Sequence, residues 1–212
     1  MRRLQDVLAI PRAYQWFQQL IAKHDRGYHV REYIRPQPGD RILDIGCGPG
    51  DILAFLPDTV YTGVDHSALY IDAARKRFGS HGTFICEDVA NVVINSPGTF
   101  DLVLANGLLH HLDDTLATQL LQIAARALKP TGRLVALEAC FVPEQSYMAR
   151  WMLRRDRGEF VRDLDAYLAL ARPIFADVVH VIRHDLLRIP YTHLILTCSK
   201  ANAQAMPSTE AA

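Results

Sequence analysis

The sequence predicts a doubly wound α/β domain, and three observations carry that expectation. Short apolar runs (Ile42 to Ile45, Val60 to Val64, Phe100 to Ala105, Arg133 to Leu137) alternate with stretches of helical periodicity. The first run is followed by glycines at alternate positions, Gly46, Gly48 and Gly50, and then by a short helical segment, Asp51 to Leu56. Several runs end in polar residues, which places those residues at the carboxyl edge of a sheet, where ligands of such folds bind.

A chain of 212 residues suits one α/β domain with a substantial core. Half of it is apolar and 22% is charged, an ordinary globular composition. Lys plus Arg and Asp plus Glu number 23 each, so no overall charge favours nucleic acid or a membrane surface. No apolar run reaches the roughly 18 to 20 residues of a membrane span, and the N-terminus lacks the apolar core of a signal peptide. Cys47, Cys86, Cys140 and Cys198 stand far apart with no Cys-x-x-Cys pair, against a zinc site or a disulfide framework. Cytoplasmic residence with reduced thiols is the expectation.

Residues 4 to 34 read as helical, with Leu8, Trp16, Phe17, Leu20 and Ile21 largely on one face and Pro11 dividing the segment. Tyr14, Trp16 and Phe17 either cap a cofactor pocket or simply pack. The turn Pro36 to Asp40 then feeds the first strand. These signals divide the chain into an N-terminal helical cap (1–37), a main domain (38–200) and a tail (201–212) without periodicity, expected to be disordered.

Within the main domain, Asp44-Ile-Gly46-Cys47-Gly48-Pro-Gly50 joins strand to helix, and glycine there permits positive φ and close approach of a ligand. Val60 to Asp65 is a second strand. Asp65 lies 21 residues beyond Asp44, near the roughly 20-residue interval at which a carboxylate reaches a ribose hydroxyl. Capping the helix that starts at Ser67 is the other reading of Asp65. That helix, 67–78, is expected to bury Leu69, Ile71, Ala74 and Phe78. Thr83 to Asp88 is a third strand and Phe100 to Asn106 a fourth, running on into Gly107-Leu-Leu-His110-His111-Leu-Asp-Asp114. A helix over Thr115 to Lys129 stops at Pro130 and Gly132, and Arg133 to Glu138 is the fifth strand. Cys140 to Asp163 carries Tyr147, Trp151 and Met152 with Arg150, Arg154, Arg155 and Arg157, and reads as a lid at about 141–163. A helix (Leu164 to Ala171) and two strands (Val178 to Arg183, Thr192 to Cys198) complete the domain.

The alternate-glycine segment with its leading acid resembles motif I of the class I S-adenosylmethionine-dependent methyltransferases. The Phe100-Asp-Leu-Val start of the fourth strand, the His-His-Leu after it and the Leu128-Lys-Pro-Thr-Gly-Arg-Leu134 transition resemble the same family. The whole chain is similar to small stand-alone bacterial members with an Arg-Asp-Arg-Gly segment and an Arg-Ile-Pro-Tyr-Thr-His ending. The resemblance implies a seven-stranded Rossmann-like methyltransferase fold with an antiparallel last strand. It implies S-adenosyl-L-methionine as cofactor, held by Asp44, Gly46, Cys47, Gly48 and Gly50, by Asp65 with His66 at the ribose, by Asp88 and Val89 at the adenine, and by Asn106, Gly107 and Tyr14.

Methyl transfer expels a neutral thioether, so the protein has chiefly to hold acceptor, methyl and sulfur in line. A hydroxyl or protonated amine acceptor also needs a base, and His110, His111 and Glu138 are the candidates beside the expected methyl position. Their other reading is that they only orient the loop. The two histidines are expected to diverge by roughly 100°, with His110 facing the pocket and His111 packing beneath it or binding a backbone carbonyl. Tyr147, Arg154, Arg155, Arg157, Tyr191 and His193 are candidate acceptor-binding residues. The arginines suit a phosphate or carboxylate, or form a solvated face.

The leading expectation is methylation of a small molecule, at oxygen before nitrogen or carbon. A cyclase or decarboxylase using the same cofactor, or a non-catalytic cofactor-binding partner, are the alternatives. Nucleic-acid and protein acceptors are disfavoured, since Ala105-Asn106-Gly107-Leu108 is not the Asn/Asp-Pro-Pro-Tyr/Phe motif used on planar amino groups. No metal is expected, with Asp113 and Asp114 read as helix caps.

Overall fold

The computed structural model describes residue 23 and residues 26–92, 97–155 and 158–200. Tyr14, Arg157, most of the expected helical cap and the expected tail lie outside the described residues.

A short helix α1 (Arg26–His29) widens into a π-type turn (Val30–Ile34) that ends on Arg35 at φ 46°. Strand β1 (Arg41–Ile45) leads through the glycine turn into a 3-10 segment (Asp51–Phe55). Then come β2 (Val60–Asp65), α2 (Ala68–Phe78) and β3 (Thr83–Cys86). After these follow β4 (Phe100–Asn106), a 3-10 turn (Leu109–His111), α3 (Asp114–Ala127) and β5 (Leu128–Phe141). The stretch expected as a lid carries α4 (Tyr147–Leu153) and β6 (Arg162–Asp163), and α5 (Leu164–Ala171), β7 (Asp177–Arg183) and β8 (His193–Ser199) follow.

The strands line up in the order β3-β2-β1-β4-β5-β8-β7, with β6 added to the end of β5. β1 to β5 pair in parallel, whereas β8 runs antiparallel to both neighbours. A seven-stranded sheet with an antiparallel last strand is what the family resemblance implied, and β6 is an addition to it. Chain order reverses between β1 and β4, which makes their carboxyl ends the switch point of the sheet.

Both faces of the central strands are covered, which is why they read as continuous apolar runs. Ile42, Leu102, Leu104 and Val135 pack with Val30 and Ile34 of the N-terminal helix and with Ile71 and Ala74 of α2. Their alternate neighbours Leu43, Ile45, Val103 and Ala105 pack with Leu120, Ile123 and Ala124 of α3 and with Tyr167 and Leu168 of α5. Each such leucine or isoleucine contributes about 1.5–3 kcal/mol through burial.

Element boundaries and burial differ from the sequence reading in places. Strand β5 begins at Leu128, because Pro130 disfavours helical backbone ahead of itself and α3 ends at Ala127. The register against β4 shifts between Phe100 and Leu102 to absorb the extra residues. Leu69 is 56% exposed, where a buried side chain was expected. Ser67 caps α2 and fixes its phase, so Ile71 and Ala74 face the sheet and Leu69, two residues from Ile71, points away.

Candidate cofactor and active site

Two turns meet at the switch point. In the first, Gly46, Gly48 and Gly50 hold φ of 77°, 55° and 72°, a region side chains disfavour. Gly46 and Cys47 donate their backbone N–H groups to Val64 O at 2.8 and 3.0 Å, which ties the turn to β2. A Cβ on Gly46 would lie 2.9 Å from Leu108 Cδ2. The glycine turn after β1 therefore rests directly on the loop after β4.

Acids on the flanking strands brace both turns. Asp65, at the end of β2, accepts the Gly48 N–H at 2.9 Å on one oxygen and the Ser67 N–H at 2.8 Å on the other. It thus fixes the cap residue Ser67 at the entry to α2 and steadies the glycine turn, and each oxygen keeps a lone pair for a hydroxyl. Beneath the turn, Asp44 is buried and accepts from Tyr61 Oη at 2.7 Å. Burial pushes its carboxyl up to about 7, the Tyr61 hydrogen bond opposing and the charge of Asp65 adding to the rise. Burial also raises the Cys47 thiol, so Cys47 is an inert part of the turn.

On the other side, Glu138, three residues before the end of β5, is 1% exposed, which corrects the expected strand end at Glu138. One of its oxygens accepts the Leu108 and Leu109 N–H groups at 3.1 and 2.9 Å. The other accepts the His110 backbone N–H at 3.2 Å and the ring Nδ1–H at 2.5 Å. Both oxygens are thus committed to the loop, which corrects the reading of Glu138 as a group that meets an acceptor. The two histidines also depart from expectation. The 3-10 turn brings their rings together, with centroids 4.3 Å apart and planes tilted by 37°, instead of spreading them. His110 is buried and His111 exposed, so His111 does not pack beneath its neighbour.

The stretch between α4 and α5 is fastened to this loop. Phe160 N donates to His110 O at 2.9 Å, and a Cβ on Gly158 would fall 2.1 Å from His110 Cδ2. Arg162 donates to Leu109 O, Leu112 O and Phe160 O at 2.8, 2.7 and 3.1 Å and pairs with Asp114. Sequence reading missed Arg162, because its 9% exposure comes from tertiary packing and no motif marks it.

It also missed His29. Its Nε2 lies 3.2 Å from Asn106 Oδ1 at the end of β4, and its ring packs 5.6 Å from that of Tyr33. His29 Nδ1 is buried with no hydrogen-bond partner. A buried orphan acceptor costs about 1–3 kcal/mol, and an orphan N–H is rarer still. Nε2–H donating to Asn106, with a bare Nδ1, is therefore the favoured tautomer. Burial pulls the His29 pKa down to about 4 against the Asn106 hydrogen bond, so the ring is neutral at neutral pH.

The remaining candidates are more dispersed. Asp88 caps a short turn through Ala90 N at 2.9 Å, with Val89 half-buried behind it, and His66 is exposed beside Asp65. Tyr191 and His193 pack ring against ring at the start of β8, centroids 4.8 Å apart and planes tilted by 44°. Tyr147 is 95% exposed, Arg154 is exposed, and the Arg155 guanidinium lies 4.0 Å over the Trp151 ring. Among the described residues no cluster of three or more His, Cys, Asp or Glu could hold a metal ion. No helix among them is long and apolar enough to cross a membrane.

A Cβ-free cradle after β1, a braced carboxylate after β2 and an acid with a backbone N–H after β3 lie along one sheet edge. That donor set suits a nucleoside with a charged extension. Residues 42–132 match the family model described as "Methyltransferase domain". The chain is 35% identical over 114 residues to the uncharacterised methyltransferase YodH of Bacillus subtilis, covering 52% of this chain and 48% of that one. It is 34% identical over 118 residues to the ubiquinone/menaquinone biosynthesis C-methyltransferase UbiE of Desulfotalea psychrophila, covering 51% and 46%. The chain thus spans about half the length of these relatives. Its fold is similar to that of Haemonchus contortus phosphoethanolamine N-methyltransferase 2, solved with phosphomonomethylethanolamine and S-adenosylhomocysteine (TM-score 0.69, 17% identity, covering 85% of this chain and 54% of that one). Motif, fold and the match over residues 42–132 agree on a methyltransferase domain of the class I kind, with S-adenosylmethionine as its cofactor.

Proposed function

We propose that this protein methylates a small-molecule acceptor, with oxygen the favoured nucleophile and His110 the proton acceptor. The observation that carries this reading is the His110–Glu138 pair. With Nδ1–H committed to a buried carboxylate at 2.5 Å, the imidazole is fixed in the tautomer that leaves Nε2 basic, and an imidazolium formed there is stabilised by Glu138.

The cofactor, when bound, supplies a methyl group on a sulfonium sulfur, whose departure as a thioether needs no acid. The protein's part is to bind, align and deprotonate. Gly46, Cys47, Gly48 and Gly50 would receive the chain of the cofactor without steric conflict. Asp65, with His66 beside it, would take the ribose hydroxyls, and Asp88 with the Val89 N–H would take the adenine. Asn106 and Gly107 would border the methyl, and Asp44 would support the turn from below. Glu138 and Arg162 hold the loop that bears His110, acting as positioning residues. Tyr191, His193 and the lid residues Tyr147, Arg154 and Arg155 would meet the acceptor, and the lid's arginines favour one that carries a carboxylate or phosphate. A small acceptor, not a nucleic acid, suits a chain with balanced charge.

The test is a screen of phenols, hydroxy acids and phosphorylated alcohols with methyl-labelled donor, followed by kinetics of His110→Ala on any acceptor found. The reading requires a fall of about 10²–10⁴ in turnover, the range for general-base catalysis, with S-adenosylhomocysteine affinity unchanged. Wild-type turnover in that variant sinks the base assignment.

A further inference from the structure

Asn106 is the last residue of β4, and its side chain stands at the switch crevice, half-exposed. The carboxamide oxygen is engaged by His29, which reaches across from the N-terminal helix. The carboxamide nitrogen is not among the buried side-chain atoms without partners, and the Asn106 side chain makes no further hydrogen bond among the described residues. It therefore remains open to a ligand.

An asparagine amide can present either end, and which end it presents is decided by its neighbours. Here the neighbour is a neutral imidazole whose other nitrogen has no partner, so the ring donates through Nε2 and Asn106 must answer with its oxygen. The NH2 group is then turned away from His29. Two N–H donors at the end of β4, one strand from the glycine turn after β1, suit an anionic oxygen.

We infer that His29 is a positioning residue that locks the Asn106 carboxamide with its NH2 toward the crevice, where it binds the α-carboxylate of S-adenosylmethionine. This inference rests on the cofactor assignment above and goes beyond it by naming how the amino-acid end of the cofactor is held. The packing of the His29 ring against Tyr33 explains why an orphan Nδ1 is tolerated: the ring is placed for its reach to Asn106. A histidine kept for packing alone has no need of that contact.

The test is calorimetric titration of the full chain with two probes, S-adenosylhomocysteine and 5′-methylthioadenosine, which lacks the amino-acid end. His29→Phe keeps a ring and removes the donor, and His29→Gln restores an N–H. In His29→Phe, S-adenosylhomocysteine affinity should fall about tenfold or more, the scale of a hydrogen bond to a charged group, and methylthioadenosine affinity should hold within about twofold. His29→Gln should recover much of the loss. Asn106→Ala should lose as much as His29→Phe, and the double variant no more than either alone. Nitrogen NMR of the wild-type ring should report a neutral Nε2–H tautomer. Equal losses for both probes, an unchanged S-adenosylhomocysteine affinity, additive losses in the double variant or the Nδ1–H tautomer would each overturn the inference. A wild type that binds neither probe overturns the cofactor assignment itself, and is told apart by needing no variant.

Discussion

The Glu138 carboxylate lies 2.5 Å from His110 Nδ1 and also receives the backbone N–H of His110 at 3.2 Å. One side chain near the carboxyl end of β5 thus sets both the ring and the main chain of the residue proposed as the base. Glu138→Gln puts an amide NH2 among these donors and should lower turnover about hundredfold. Glu138→Ala strands buried N–H groups and should cost about 3 kcal/mol or more, read by urea unfolding. A Glu138→Gln variant with wild-type turnover would remove the pair from the mechanism.

Arg162 makes the same argument from the lid side. Its guanidinium serves Leu109 O and Leu112 O inside the fold, and a methionine there leaves both carbonyls without that donor. Arg162→Met should destabilise the protein by about 2–4 kcal/mol and expose the lid to proteolysis first. Unfolding together with limited digestion checks this, and cleavage unchanged at the lid contradicts it.

Gly46 and Gly98 separate strain from contact. Both hold positive φ, 77° and 70°, but only at Gly46 would a Cβ meet another residue, Leu108. Gly98→Ala should cost about 1 kcal/mol from backbone strain alone. Gly46→Ala should cost more and abolish S-adenosylhomocysteine binding. Equal costs and retained binding would mean that the two turns do not depend on each other.

Asp44 gives a pH signature. Burial raises its folded-state carboxyl to about 7, above the ordinary 3.8, so the fold prefers the protonated acid. Its contribution is fully present below about pH 4 and is lost as pH rises through about 7. Asp44→Asn imitates the protonated form and can still accept from Tyr61, so it should raise the melting temperature at pH 8 and change it little near pH 4. Identical pH profiles for variant and wild type contradict this.

The parallel core was legible because its strands are apolar on both faces and are punctuated by glycine and proline. The same punctuation revealed the cradle at Gly46, Gly48 and Gly50, since positive φ leaves a mark in residue type. Polar residues whose roles depend on distant partners left no such mark. Arg162 reads as one of many arginines until the fold buries it against the loop after β4, and His29 reads as a helix residue until Asn106 lies 3.2 Å away. Glu138 was expected at the end of its strand, but β5 runs on to Phe141. Strand periodicity shows which face a carboxylate takes, not how many main-chain donors will converge on it. Leu69 failed on phase alone, which the Ser67 cap decides.

The most direct test of the cofactor site is calorimetric titration of the wild type and Asp65→Asn with S-adenosylmethionine, S-adenosylhomocysteine and NADH. The braced glycine turn and the carboxylate after β2 predict micromolar binding of both sulfur ligands by the wild type, no binding of NADH, and a loss of at least tenfold in Asp65→Asn. Absence of binding by the wild type, or full affinity in the variant, would contradict the site as drawn.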